Sequence, residues 1–256
     1  MLGIIGGTGI YDPKSVKEIA VKEVETPYGD APKVKIVEFD GKRIAFLPRH
    51  GKSHAIPPHM VNYRANIYAL KQVGVDGIIS TNSVGCINES LSPGDVVIPH
   101  DFLDFTKDRQ STFYDDMVVH IDMSNPYCPE IRKALIEAAG AVSNVSSRGV
   151  YACTQGPRFE TPSEIRMLKT LGGDVVGMTG VPEVVLSREK EICYGSVCIV
   201  VNPAAGISEE KLTSTELMEI VRANEAKLRE IVTGAIASIP EQRKCDCGQT
   251  LEGAVV

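Results

Sequence analysis

Donor side chains recur just past short apolar runs of this chain, in a pattern suited to holding an anion. Thr8 follows Leu2–Ile5 within Gly6-Gly7-Thr8-Gly9, where a glycine-rich turn lets backbone N–H groups approach a negative charge and the hydroxyl adds a donor. Arg49 and His50 follow Arg43–Leu47 in Pro48-Arg49-His50-Gly51, and the guanidinium offers two parallel donors with the imidazole as a third. Asn82 and Ser83 follow the apolar run ending at Thr81, and Thr179 follows Val175–Met178. Each alone has a plain structural explanation as a cap, a turn residue or a surface cation. Together, at clustered strand ends, they describe a phosphate-sized pocket built without lysine or metal motif.

A second group lies between Thr154 and Glu183. Gly156-Pro157 forces a turn, and Phe159 and Glu160 sit on the loop behind it. Thr161-Pro162-Ser163-Glu164 is a capping box with proline at the first helical position. The helix it opens is expected to bury Ile165, Met167, Leu168 and Leu171 and to stop at Gly172-Gly173. An aromatic ring, a carboxylate and a hydroxyl thus stand at loop tips on a βαβ scaffold, where open α/β sheets bind ligands.

The elements that must position these groups are legible in order. Val34–Phe39 and Arg43–Leu47 flank the hairpin signal Asp40-Gly41. Lys52–Met60, with His54 and His59, reads as a lid, and Asn62–Val73 as a helix. His100–Asn125 reads as a long irregular segment, and Pro129–Gly140 as a helix. After a helix from Pro182 to Lys190, Tyr194–Val201 is a strand ending in Asn202-Pro203-Ala204. Thr213-Ser214-Thr215-Glu216 caps a long helix that is expected to bury Leu217, Ile220, Val221, Leu228, Ile231 and Val232 and to end near Ser238, before Pro240. Alternating strands and helices imply an α/β fold: a single domain over 1–240, with a central mixed β-sheet, partly barrel-like, flanked by helices. Residues 241–256 read as a mobile tail unless their cysteines pin it.

Composition narrows the function. The 256 residues are 43% hydrophobic and 23% charged with a net charge of −6, as in an ordinary globular protein. No basic run points to nucleic acid, and no apolar run reaches the ~18 residues of a membrane span. A cytoplasmic location is expected. Pro13 blocks the helix that a dinucleotide fingerprint requires, which disfavours an NAD-dependent oxidoreductase. Of seven cysteines, Cys86, Cys153, Cys193 and Cys198 lie in apolar contexts, while Cys245-Asp246-Cys247 stands in a polar tail. A Cys-x-Cys pair without a second ligand pair nearby argues against a metal site.

The assembled motifs resemble the trimer-forming purine nucleoside phosphorylase family, in its methylthioadenosine phosphorylase branch. The resemblance spans nearly the whole chain. It rests on Gly3–Gly9, Pro48-Arg49-His50-Gly51, Val61–Ile67, Pro93-Gly94-Asp95, Gly156-Pro157-Arg158-Phe159-Glu160-Thr161 and Gly177-Met178-Thr179 with Pro182-Glu183. It implies phosphorolysis: phosphate attacks the anomeric carbon of a purine nucleoside and releases the free base. It places phosphate on Thr8, Arg49, His50, Asn82, Ser83 and Thr179, with Phe159 on the purine face and Met178 under the ribose. It implies trimers or hexamers, with His120 reaching a neighbouring subunit's site, and no cofactor or metal, phosphate being a co-substrate. Thr215, Leu217 and Val221 are expected around the sugar 5′ position. Thermophilic relatives carry Cys-x-Cys tails that form disulfides, which makes Cys128 with Cys198, and Cys193 with the tail, candidate pairs.

The base pocket departs from the branch. Methylthioadenosine-specific members carry Asp-x-Asp where this chain has Asn202-Pro203-Ala204, and can carry serine where it has Glu160. A carboxylate at 160 only accepts, so it suits the N1–H of a 6-oxopurine and repels the bare N1 of adenine. Asn202 donates to O6 and accepts from a protonated N7. Phosphorolysis of inosine and guanosine is therefore expected. Methylthioadenosine or methylthioinosine phosphorylase is the alternative, and a nucleoside-binding protein without turnover is the alternative outside enzymes.

Overall fold

The computed structural model describes residues 1–6, 17–39, 41–51, 55–208 and 213–256. Strands β1 (Leu2–Gly6), β2 (Lys17–Lys22), β3 (Val34–Phe39) and β4 (Lys42–Pro48) form one wing of a mixed sheet, in the order β2-β3-β4-β1. The predicted hairpin is present, with β3 and β4 antiparallel and Phe39 opposite Lys42; Asp40 of its turn lies outside the described residues. β1 then pairs in parallel with both β4 and β5 (Gly77–Cys86).

β5 is the spine of the sheet. On one edge it runs parallel to β11 (Cys193–Pro203) for its whole length. On the other edge it pairs with β1 only as far as Ser80, and then with β10 (Val175–Gly177) only at Gly85 and Cys86. Between these two partners, Thr81–Val84 has no ladder neighbour on that side among the described residues, so the described sheet splits open there. The far wing continues from β10 through β9 (Val150–Thr154) to β7 (Asp101–Phe105), all parallel to one another. Two short strands, β6 (Val96–Val97) and β8 (Val145–Ser146), extend the β11 edge. β7 corrects the expectation that His100–Asn125 is irregular from its start: Asp101–Phe105 is a strand, and its mixed polar and aromatic sequence reflects a sheet edge with little burial.

Helices cover both faces. α1 (Tyr63–Gln72) and α4 (Glu183–Glu189) pack together over one face, where Ile67, Leu70, Val184 and Leu186 join a core with Ile5, Leu47 and Ile78. α2 (Pro129–Gly140) and α5 (Ser214–Ser238) cover the other, where Ile131, Leu135, Leu228, Ile231 and Val232 meet Val197 and Ile199 of β11. α3 (Pro162–Thr170) begins with the full capping box read from sequence: Thr161 accepts from the Glu164 amide, and the Glu164 carboxylate accepts from the Thr161 amide. Only Ile165 and Leu168 of that helix are buried; Met167 and Leu171 are exposed, because α3 lies on the outer rim and meets the core along a narrow stripe. α5 differs from expectation similarly, since Leu217, Ile220 and Val221 are only partly buried. Among the described residues, no helix is long and apolar enough to cross a membrane.

The last residues fold back on the domain. Cys247, Thr250 and Ala254 are buried, Asp246–Gln249 forms a 3-10 turn, and the backbone pairs with residues 118–120 through Val256 N to Val118 O and His120 N to Ala254 O. The tail is thus held in place.

Candidate active site

The split in the sheet is filled by side chains from the strands that stop short of it. β4 ends at Pro48, and Arg49 turns inward, 3% exposed. Its Nε and Nη2 donate to the two oxygens of Glu183, each at 2.8 Å, while Nη1 donates to the Thr81 carbonyl at 2.9 Å and Nη2 to Ser80 Oγ at 2.6 Å. The unpaired edge of β5 thereby gains a partner at Thr81. Glu183, the first residue of α4 and fully buried, also accepts from Tyr194 Oη at 2.7 Å and Ser80 Oγ at 3.0 Å. Both carboxylate oxygens of Glu183 thus have donors, one on Oε1 and three on Oε2, which is the condition for burying such a pair.

This arrangement corrects the role expected for Arg49. Its two parallel donors meet Glu183 rather than an incoming anion, which leaves one guanidinium N–H for the cleft. Asn82 is corrected too. It lies inside β5 and not past its end, its Nδ2 donates to Ser80 Oγ and Ser196 Oγ at 3.1 and 2.8 Å, and its Oδ1 accepts from Thr179 Oγ1 at 2.8 Å. Its neighbour Ser83 is the one exposed residue of β5, since alternation along the strand turns it into the opening. His50 is anchored through Nδ1 to the Ile56 carbonyl at 2.8 Å. Thr8, and His54 with the first part of the lid segment, lie outside the described residues.

A cleft of about 360 Å³ opens over this floor, and Arg49, His50, Asn82, Ser83 and Thr179 all line it. Its walls bring in the second group: Phe159, Glu160, Met178, Asn202 and Ala204. Glu160 Oε1 accepts from Thr154 Oγ1 at 2.5 Å, so Oε2 carries the accepting edge for a ligand. Asn202 belongs to β11, after a bulge between Val200 and Asn202 that re-aims its side chain. One amide hydrogen goes to the Pro203 carbonyl at 2.6 Å. Gly156 has φ +65°, a conformation that favours glycine, and a Cβ there would stand 2.6 Å from Met178 Sδ and push that side chain aside. The loop carrying Thr179 is held from behind by Tyr151, whose hydroxyl accepts from the Thr179 and Gly180 amides at 3.3 Å.

One residue expected around the sugar is not brought to this cleft, and another, expected at a neighbouring subunit's site, stands clear of it. Thr215 is exposed in the first turn of α5 and lines nothing here; Leu217, Met218, Val221 and Leu228 form that wall instead. His120 is exposed and lies outside its own chain's cleft.

The profile of the Phosphorylase superfamily matches residues 1–237. The chain belongs to the Phosphorylase superfamily. Among relatives of this superfamily member, a probable S-methyl-5′-thioinosine phosphorylase of Methanothermobacter thermautotrophicus is 53% identical over 257 residues, covering 100% of this chain and 90% of its own. A probable 6-oxopurine nucleoside phosphorylase of Thermococcus kodakarensis is 50% identical over 262 residues, covering 99% and 98%. A crystal structure of methylthioadenosine phosphorylase from an antarctic soil metagenomic library superposes with a TM-score of 0.94 at 35% identity, covering 100% of this chain and 92% of that one.

Several groups that build this superfamily member's site were not singled out from sequence. Glu183 stands in the sequence only as part of a motif, and Thr154, Ser80, Ser196, Tyr151 and Tyr194 carry no clear local sequence sign of a role at the site. Their signal was weak: a polar residue inside an apolar strand is informative only once its partner on another strand is known. Among the described residues, the group spaced to hold a metal ion is Cys128, Cys193, Cys245 and Cys247, none of which lines the cleft.

Proposed function

We propose that this protein is a purine nucleoside phosphorylase acting on 6-oxopurine nucleosides, in purine salvage in the cytoplasm. The observation that carries the reading is that Glu160 and Asn202 line one cleft with Arg49, His50, Ser83 and Thr179. A base-recognising pair thus faces an anion floor. Phosphate, a co-substrate, binds on that floor, and no cofactor is required. One phosphate oxygen forms a bond to the anomeric carbon as the glycosidic C–N bond breaks, and the bonding pair leaves with the purine. Charge grows on the base, so groups that meet it there act on the rate. Asn202 keeps one amide N–H for O6 and its Oδ1 for a protonated N7. Glu160 accepts from N1–H through Oε2. Because Glu183 already compensates Arg49, the floor binds phosphate through several modest donors and leaves it nucleophilic.

The test is phosphate-dependent cleavage of inosine, guanosine, adenosine and methylthioadenosine, compared as kcat/KM at one pH. Inosine and guanosine should lead by about 10⁴, the discrimination available when wrong pairing leaves buried polar groups unmet. Preference for an adenine nucleoside would refute the base-pocket assignment, and absence of turnover would leave a binding protein. Thr154→Val keeps the shape and removes the hydroxyl that orients Glu160. It should raise the nucleoside KM about tenfold, the worth of a hydrogen bond to a charged group, and an unchanged KM would remove Thr154 from the site.

A second reading has support from α5. Leu217, Met218, Val221 and Leu228 form an apolar wall, Thr215 is not on it, and Glu225 is the carboxylate of that helix at the cleft. Such a wall suits a 5′-methylthio group, and S-methyl-5′-thioinosine belongs in the same assay. An apolar pocket rejects an added hydroxyl by only about 10², so both nucleosides should turn over. The same reading makes the protein a homotrimer or a pair of trimers in which His120 serves a neighbouring copy's site. A monomer by light scattering that retains full activity would exclude that role.

A further inference from the structure

Four of the seven cysteines converge on one point far apart in sequence. Cys128 caps the start of α2, Cys193 opens β11, and Cys245 and Cys247 come from the tail. Their sulfurs all lie within 4.8 Å of one another, with Cys245 Sγ 3.6 Å from Cys128 Sγ and 3.4 Å from Cys193 Sγ. None is bonded to another, and Cys128, Cys193 and Cys247 are buried. The expected Cys128–Cys198 pairing is absent, because Cys198 Sγ faces Ser196 Oγ on the next turn of the strand pleat instead. The tail pair, which in sequence lacked companion ligands, finds them in Cys128 and Cys193.

We propose that Cys128, Cys193, Cys245 and Cys247 form a structural zinc site. A Zn–S bond of about 2.3 Å in a tetrahedron sets sulfur–sulfur edges of ~3.8 Å, and the four sulfurs here, two contacts at 3.4 and 3.6 Å and all within 4.8 Å, need only small shifts to reach it. A disulfide needs only two sulfurs and gives no reason for two more to be gathered within 4.8 Å of them. Four thiolates on a divalent ion leave a net charge of −2, and a cation stands beside them: Arg243 Nε donates to Cys193 Sγ at 3.2 Å, while its Nη2 is fixed by Asp76 at 2.5 Å. Such an outer contact orients the thiolate and offsets its charge. All-thiolate tetrahedral sites select zinc or iron among divalent ions, and a closed, buried set with no open position is structural. The site ties α2, β11 and the tail together, and the tail in turn pairs with Val118 and His120.

Elemental analysis of the whole protein, purified under reductant without added chelator, should find stoichiometric zinc. Exchange for Co²⁺ should give the visible absorption of a tetrahedral tetrathiolate. Cys245→Ser and Cys247→Ser should lose the metal, whereas Cys86→Ser, a buried cysteine outside the cluster, should keep it. Chelation should lower the Tm by about 5–10 °C and speed amide exchange at residues 118–120. The proposal is overturned if the reduced protein takes up neither Zn²⁺ nor Co²⁺, if iron fills the site, or if the protein isolated without oxygen holds disulfides among these four cysteines. The metal readouts are independent of nucleoside turnover.

Discussion

Asn202→Ala is expected to lower kcat for inosine by about 10², within the range for loss of one donor that meets charge developing in the transition state. The loss should fall on kcat more than on KM, since the base accumulates charge only as the glycosidic bond breaks. The fold should be unaffected, because Asn202 is half-buried and its own structural bond is to the adjacent Pro203 carbonyl. Asn202→Asp sharpens the test. A carboxylate there only accepts, so it repels O6 and welcomes the amino group of adenine. Adenosine should gain on inosine by at least tenfold in kcat/KM. If both variants cleave inosine at the parent rate, Asn202 has no part in base departure.

Glu183→Ala should be the most damaging substitution for stability. It leaves the Arg49 guanidinium charged, 3% exposed and without its counter-ion. Breaking a buried pair this way costs about 3–5 kcal/mol, which for a chain of this size corresponds to a fall in Tm of roughly 10 °C or more. Ser80 and Tyr194 lose an acceptor at the same time. Glu183→Gln keeps the shape and should retain a fold in which phosphate KM can be measured. That KM should rise at least tenfold, since Arg49 is no longer held in one orientation by two parallel bonds. A melt within about 2 °C of the parent together with an unchanged phosphate KM would show that Glu183 does not position Arg49.

These two residues also differ in how visible they were. Asn202 and Glu160 were chosen from sequence because their chemistry contrasts with that of a related base pocket, and both line the cleft. Glu183 is visible in the sequence only as part of a motif, since its partner is Arg49, 134 residues away. Asn82 and Arg49 line the cleft, but most of their donors meet neighbouring side chains rather than the opening. Whether a side chain in a strand faces a ligand or a neighbouring strand depends on which strands are adjacent and in what register.

Local signals reached local structure. The Thr161–Glu164 capping box, the β3–β4 hairpin and the extents of α1 and α2 follow from residues a few positions apart, because caps, turns and apolar periodicity act over that range. β7 escaped, because an edge strand with little burial carries no apolar alternation to read. The chain's own residues determined an α/β fold and pointed to Arg49, His50, Ser83, Thr179, Glu160 and Asn202, which line one cleft. The tertiary structure decided the split beside Thr81–Val84, the compensation of Arg49 by Glu183 and the meeting of four cysteines. The physical reason is that each is a contact between residues brought together only by strand order and helix packing.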